Sequence, residues 1–223
     1  MRNHLILASL LMAFSAEAQY NTLGLAMGSS AFRGETTADG KLIEEPGLNL
    51  NTFYTYWLPA DERWQMTAKM NFDYIRGKRQ SGASDGTLSY DANSFLFSVL
   101  GGMRFYVDND IRDYVPEKNQ GAFFGGLYAG PILSYSNYIT PTIINPALDI
   151  YSTQPSLSLN IMAELGYRLF INKFWAYELS LGLQGGGNDR WDGYKGNTGV
   201  PDFILQASFG LSYSFYALDD HFY

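Results

Sequence analysis

The stretch Asp202 to Phe215 (DFILQASFGLSYSF) alternates without a slip. Phe203, Leu205, Ala207, Phe209, Leu211, Tyr213 and Phe215 share one parity, and Ile204, Gln206, Ser208, Gly210, Ser212 and Ser214 share the other. Successive side chains of a strand point to opposite faces, so this segment has one long apolar face and one small, polar face. Strands of soluble sheets run for about five or six residues. A strand that crosses a bilayer needs about ten. A run of this length with this asymmetry therefore predicts a strand that crosses a membrane.

The same period recurs. In Ser156 to Phe170, Leu157, Leu159, Ile161, Ala163, Leu165, Tyr167 and Leu169 oppose Ser158, Asn160, Met162, Glu164, Gly166 and Arg168. In Phe174 to Gln184, Trp175, Tyr177, Leu179, Leu181 and Leu183 oppose Ala176, Glu178, Ser180 and Gly182. In Arg63 to Arg76, Trp64, Met66, Ala68, Met70, Phe72 and Tyr74 oppose Gln65, Thr67, Lys69, Asn71 and Asp73. Tyr20 to Phe32, Gly47 to Leu58, Asn93 to Val107 and Ala122 to Tyr135 follow it less cleanly, which brings the total to eight. Long polar connections (33–46, 77–92, 136–155, 185–201) alternate with the short turns Pro59 to Glu62 and Ile171 to Lys173. Only 108–121 is long where a short turn belongs. An all-β, eight-stranded antiparallel up-and-down transmembrane β-barrel with long extracellular loops and both termini periplasmic meets these constraints, with the connection 108–121 as the exception.

Composition narrows the class further. Aromatic residues make up 16% of the chain and charged residues 17%, about twice and about two-thirds of what an average soluble domain carries. A net charge of −7 supplies no basic patch for nucleic acid. The absence of Cys removes disulfides, thiol chemistry and a lipoprotein anchor. Arg2 and His4, the apolar run Leu5 to Phe14 and Ala16-Glu17-Ala18 form an n-region, an h-region and an A-x-A box. The expected division is a cleaved signal peptide at 1–18, a barrel at 19–215 and a periplasmic tail at 216–223. A band of interface aromatics is expected beside the short turns: Trp57, Trp64, Phe105, Tyr106, Tyr167, Phe170, Phe174, Trp175, Tyr213 and Phe215.

Parity also assigns the lumen. Lys69, Asp73, Arg104, Glu164, Arg168 and Glu178, three cations and three anions, fall on the inward side. They fit either an ion-pair network inside a plugged barrel or the lining of a narrow pore. Barrel enzymes that act on lipid or protein mostly use a histidine base. Both histidines here lie off the barrel, His4 in the signal and His221 in the tail, so no catalytic role is expected. Asp108, Asn109, Asp110 and Asp113 lack the Gly and the distal Glu of an EF-hand, and the glycines 185–187 introduce no helix, so neither a metal nor a cofactor is expected. The long fourth connection and the tail are candidates for contact with a periplasmic partner, through Asp110, Asp113, Tyr114, Asp219, Asp220, Phe222 and Tyr223. A surface adhesin acting through the long loops, with Tyr138, Tyr151, Trp191 and Tyr194, is a third reading behind the scaffold and the pore.

Two short segments carry a resemblance. Ala31-Phe32-Arg33-Gly34-Glu35 is similar to the aromatic-x-Gly-Asp step after the first strand of the PorG-like barrels of the type IX secretion system, with Glu in place of the usual Asp. Asn188-Asp189-Arg190-Trp191-Asp192-Gly193 resembles the Asp-aromatic-acidic segment of the same family, but Gly193 stands where a second acidic residue is usual. The A-x-A box followed at once by Gln19, the Tyr-rich strands and the acidic composition also resemble outer-membrane proteins of the Bacteroidota. The resemblance implies a non-catalytic barrel that tethers a periplasmic ring to the outer membrane. A narrow pore or envelope-integrity protein of the OmpA or OmpW type remains the alternative. Outer-membrane lipids and periplasmic or outer-membrane proteins are the expected partners.

Overall fold

A computed structural model describes residues 20–33, 46–58, 63–80, 89–107, 121–138, 155–186, 191 and 202–216. Among these residues the regular elements are all strands: β1 (Tyr20–Arg33), β2 (Gly47–Trp57), β3 (Trp64–Gln80), β4 (Ser89–Tyr106), β5 (Gly121–Tyr138), β6 (Pro155–Phe170), β7 (Trp175–Gly186) and β8 (Phe203–Tyr216). Each pairs antiparallel with its sequence neighbour, and β1 closes on β8 through the register Tyr20↔Tyr216 to Arg33↔Phe203. Closure leaves no open sheet edge, which is the condition for backbone polar groups to lie in hydrocarbon. The signal segment and all of the tail after Tyr216 lie outside the described residues. Tyr216 itself belongs to β8.

β3 and β4 run past the ends of their apolar alternation. The polar segment 77–80 pairs with 89–92 down to Gln80↔Ser89, so a hairpin continues where the sequence suggested a loop. Its faces are not sorted by hydropathy, and period-two reasoning therefore missed it. The β4–β5 register is interrupted between Ser98↔Ile132 and Gly101↔Ala129. Pro131 lies in that gap and has no N–H to contribute to the ladder. At the opposite kind of connection, Asn172 Oδ1 accepts from Phe174 N at 2.8 Å and Trp175 N at 2.9 Å, fastening the 171–174 turn.

The faces separate by parity. Leu157, Leu159, Ile161 and Leu165 of β6, Leu179, Leu181 and Leu183 of β7, and Phe209 and Leu211 of β8 are exposed on the outer wall. Asn160, Glu164 and Arg168, Glu178 and Gln184, and Gln206, Ser208 and Ser212 are buried inside. This is the reverse of a soluble barrel, whose apolar side chains fill the interior. Around the short-turn end, directly opposed outward rings meet across strands in tilted pairs: Trp64 with Phe105 at 4.9 Å, Phe123 with Tyr167 at 4.7 Å and Trp175 with Tyr213 at 4.9 Å. Phe174 stacks on Tyr213, as does the half-buried Phe215. Aromatic cross-strand pairs of this kind add to sheet stability beyond their burial.

Three residues assigned to that outer band lie elsewhere. Trp57 is 4% exposed and Tyr106 fully buried, stacked on each other at 5.3 Å inside the barrel. Phe170 packs against the same inner group, with Ala122 and Phe124. The physical reason is parity: Trp57 follows Asn49, Asn51, Phe53 and Thr55, all buried, so nearness to a turn does not make it face lipid.

Candidate functional site: the lumen

The interior is filled in layers. At the short-turn end, Trp57, Tyr106, Ala122, Phe124 and Phe170 form an apolar floor. Above it a chain of polar contacts crosses the barrel. Thr22 Oγ1 and Ser214 Oγ lie 3.0 Å apart, and Arg168 donates to Ser214 Oγ at 2.7 Å. Arg168 Nε stands 3.8 Å from Glu178 Oε1, and Glu178 Oε2 accepts from Arg104 at 3.0 Å. Arg104 reaches Glu164 Oε2 at 3.3 Å, and Glu164 Oε1 accepts from Lys69 Nζ at 2.6 Å. Strands β1, β3, β4, β6, β7 and β8 are thus joined across the lumen, which ties the walls to one another as well as to their neighbours.

Arg104 is the centre of this layer. Its guanidinium lies between the rings of Phe53 (4.5 Å) and Phe124 (4.4 Å). Its edge donates to Glu178, Glu164 and, through Nε, to Tyr128 Oη at 2.9 Å. A planar fork stacked on two faces with acceptors around its rim uses what distinguishes Arg from Lys. Phe53 can lie there because Gly24 faces it from β1; a Cβ at Gly24 would overlap the ring. Tyr128 donates its own proton to Glu164 Oε2 at 2.7 Å and places its ring 5.0 Å from Lys69 Nζ. Sequence reasoning did not single out Tyr128, although its parity with Ala122 and Phe124 carried the signal.

Asp73 does not join this ion-pair chain. It accepts from Asn49 Nδ2 at 2.9 Å and from Gln206 Nε2 at 2.8 Å. Asn51, Ser208, Gln184 and Asn71 extend the set into an amide and hydroxyl layer. A carboxylate ringed by amide donors is satisfied without a cation.

The last layer closes the long-connection end. Phe32, Ile75, Leu96, Ile132, Trp191 and Ile204 form a buried apolar cluster. Trp191 reaches it from the connection after β7 and is completely buried, which corrects its assignment to an exposed adhesive loop. Its backbone N donates to Asp202 Oδ2 at 2.7 Å and its indole Nε1 to Ser158 Oγ at 3.1 Å. Gly186 leaves the space for the indole, since a Cβ there would meet Cζ2. Phe32 and Trp191, from the two segments that carried the family resemblance, therefore meet in one cluster.

The assigned partner-contact residues Asp110, Asp113, Tyr114, Asp219, Asp220, Phe222 and Tyr223 lie outside the described residues, as do Asp108 and Asn109. So do Tyr151, Tyr194 and the side chain of Tyr138.

No protein-family model matches the chain, and no curated protein sequence matches it. Among solved structures, the chain is similar to Neisserial surface protein A, with a TM-score of 0.55 at 10% identity over 88% of this chain and 97% of that one. It is also similar to a major outer membrane protein of Thermus thermophilus, with a TM-score of 0.51 at 11% identity over 87% and 99% of the two chains. At such identities the likeness concerns the fold alone. The chain is a closed, eight-stranded antiparallel β-barrel of the outer-membrane type.

Proposed function

We propose that this chain is an integral outer-membrane protein, with its termini and short-turn end in the periplasm, acting as a non-catalytic anchor or structural subunit of a larger envelope assembly. The observation that carries this reading is the filled lumen: an aromatic floor, an ion-pair chain, an amide layer and an apolar cap occupy it from end to end. A barrel blocked at four levels presents its outer wall and its two ends to the cell. In its most specific form, the assembly is the type IX secretion machine, supported by the two resembling segments. The connection that follows β4, 108–120, and the segment that follows β8, 217–223, are where a periplasmic partner would bind in this reading.

Affinity purification of the tagged protein from gently solubilised membranes tests this. Stoichiometric recovery of periplasmic ring lipoproteins is the expected result, and deleting 217–223 is expected to reduce it while the barrel still folds. Recovery of the barrel alone would overturn the scaffold reading.

A second reading, a narrow pore of the OmpA or OmpW type, has its own observation. Thr55 Oγ1, Thr67 Oγ1 and both side-chain polar atoms of Gln65 are buried with no hydrogen-bond partner among the described residues. Buried polar groups in that position are normally met by water. Part of the lumen is therefore suited to hydration, and conductance by the purified protein would favour this reading.

A further inference from the structure

A row of hydroxyls crosses four neighbouring strands inside the barrel. Ser214, Thr22, Thr55 and Thr67 occupy directly paired inward positions on β8, β1, β2 and β3, in the register Ser214↔Thr22↔Thr55↔Thr67. At its first end the row is satisfied, since Arg168 donates to Ser214 Oγ at 2.7 Å and reaches Thr22 Oγ1 at 3.5 Å. At its other end it is not. Thr55 Oγ1, Thr67 Oγ1 and both polar atoms of the Gln65 amide, at the next inward position of β3, are buried with no hydrogen-bond partner among the described residues. Phe53 and Trp57 are the buried residues of β2 on either side of Thr55. Gln65 lies directly opposite Arg104 in the β3–β4 ladder.

The charges beside this row do not balance. The ion-pair layer holds three cations, Lys69, Arg104 and Arg168, against two carboxylates, Glu164 and Glu178. Arg168 has the weakest share of them. Its Nε stands 3.8 Å from Glu178 and makes no hydrogen bond, while its Nη2 goes to the hydroxyls. Asp73 is held by amides four residues from Lys69 along β3, about 13 Å in a strand. Asp202 belongs to the cap, where it accepts from Trp191. A buried cation without a counter-charge is costly. Water would meet the hydroxyls and the amide but would leave that charge in place. A small anion answers both, accepting from Thr55, Thr67 and Gln65, with Arg168 at one end of the row and Arg104 at the other.

We propose that Thr55, Thr67 and Gln65 hold a small monovalent anion of the halide class, sealed in the lumen as the counter-ion of the Arg104 and Arg168 layer. Enclosure sets its size: Thr55 and Gln65 are completely buried and Thr67 is 4% exposed.

Equilibrium unfolding of the protein from lipid vesicles in urea tests the proposal, in a chloride series held at constant ionic strength with gluconate. Gluconate, a bulky polyhydroxy carboxylate, does not fit a sealed site. One ion bound by the folded barrel alone raises the folded-to-unfolded ratio by about tenfold for each tenfold rise in chloride once the site is filling. Thr55→Val keeps the shape and removes one donor. It is expected to move the onset of this response to about tenfold higher chloride, the scale of one hydrogen bond to a charged group. Gln65→Glu supplies a resident carboxylate and is expected to abolish the response. Equal stability of the wild type in chloride and gluconate would overturn the proposal and leave water in the site. An unchanged chloride response in Thr55→Val or in Gln65→Glu would overturn it by putting the ion elsewhere. The comparison with Thr55→Val stands even if Gln65→Glu does not fold. None of these results bears on which periplasmic proteins co-purify.

Discussion

Glu164 holds two cations inside the barrel, Lys69 at one oxygen and Arg104 at the other, and also accepts from Tyr128. Removing one member of a buried ionic group leaves the others uncompensated, at a cost of about 3–5 kcal/mol. Glu164→Gln is therefore expected to lower the unfolding midpoint in urea titrations of vesicle-inserted protein far more than Asn160→Ala, which removes no charge. Trp191 makes a different kind of contribution, filling the cap. Trp191→Ala is expected to cost about 3–5 kcal/mol as a large-to-small core change. Before any substitution, Trp191 and Trp57 should be the components of the tryptophan emission most resistant to acrylamide, since both are buried while Trp64 and Trp175 are exposed. Parity alone placed Lys69, Arg104, Glu164, Arg168 and Glu178 inside, because a strand has only two faces. It could not say that Asp73 is held by amides rather than by a cation, since that depends on how strands remote in sequence face each other across the lumen. Trp57 was misread because β2 carries aromatics on both faces, Phe53 and Trp57 inside and Tyr54 outside, so hydropathy did not mark its sides.

At the scale of the strand, the period was legible wherever one face must meet hydrocarbon and the other must not. β6, β7 and β8 meet that condition over most of their length. The outer segment of the β3–β4 hairpin does not, which is why 77–80 and 89–92 read as loop. The same logic predicts an asymmetry between the faces. Leu181→Arg puts a charge on the outer wall and is expected to destabilise the inserted barrel by about 2–4 kcal/mol. Ser180→Ala, the half-buried inward neighbour, should change stability by only a few tenths of that, as a small substitution at a site without a named role. Equilibrium folding into lipid vesicles checks both. If the two substitutions had similar effects, the assignment of faces in β7 would be wrong.

For the whole molecule, closure and filling are separate achievements. Closure pairs every strand on both sides, and the β1–β8 seam can form only after the chain ends meet, a non-local pairing that slows folding. Filling depends on side chains from nearly every strand meeting in ordered layers, with polar layers between two apolar ones. The eight strands, their order and the inside-out sorting of residues could be read along the chain, whereas the layering could not, because it arises only once the wall is curved. The filled layers of the lumen are what the proposed structural role rests on, in place of transport. Single-channel recording of the purified, refolded protein in planar bilayers tests it most directly. The filled lumen predicts a silent bilayer for the wild type and also for Trp191→Ala, because the floor of Trp57, Tyr106, Phe124 and Phe170 and the Arg104 layer remain. Stable, stepwise conductance from the wild-type protein would contradict it.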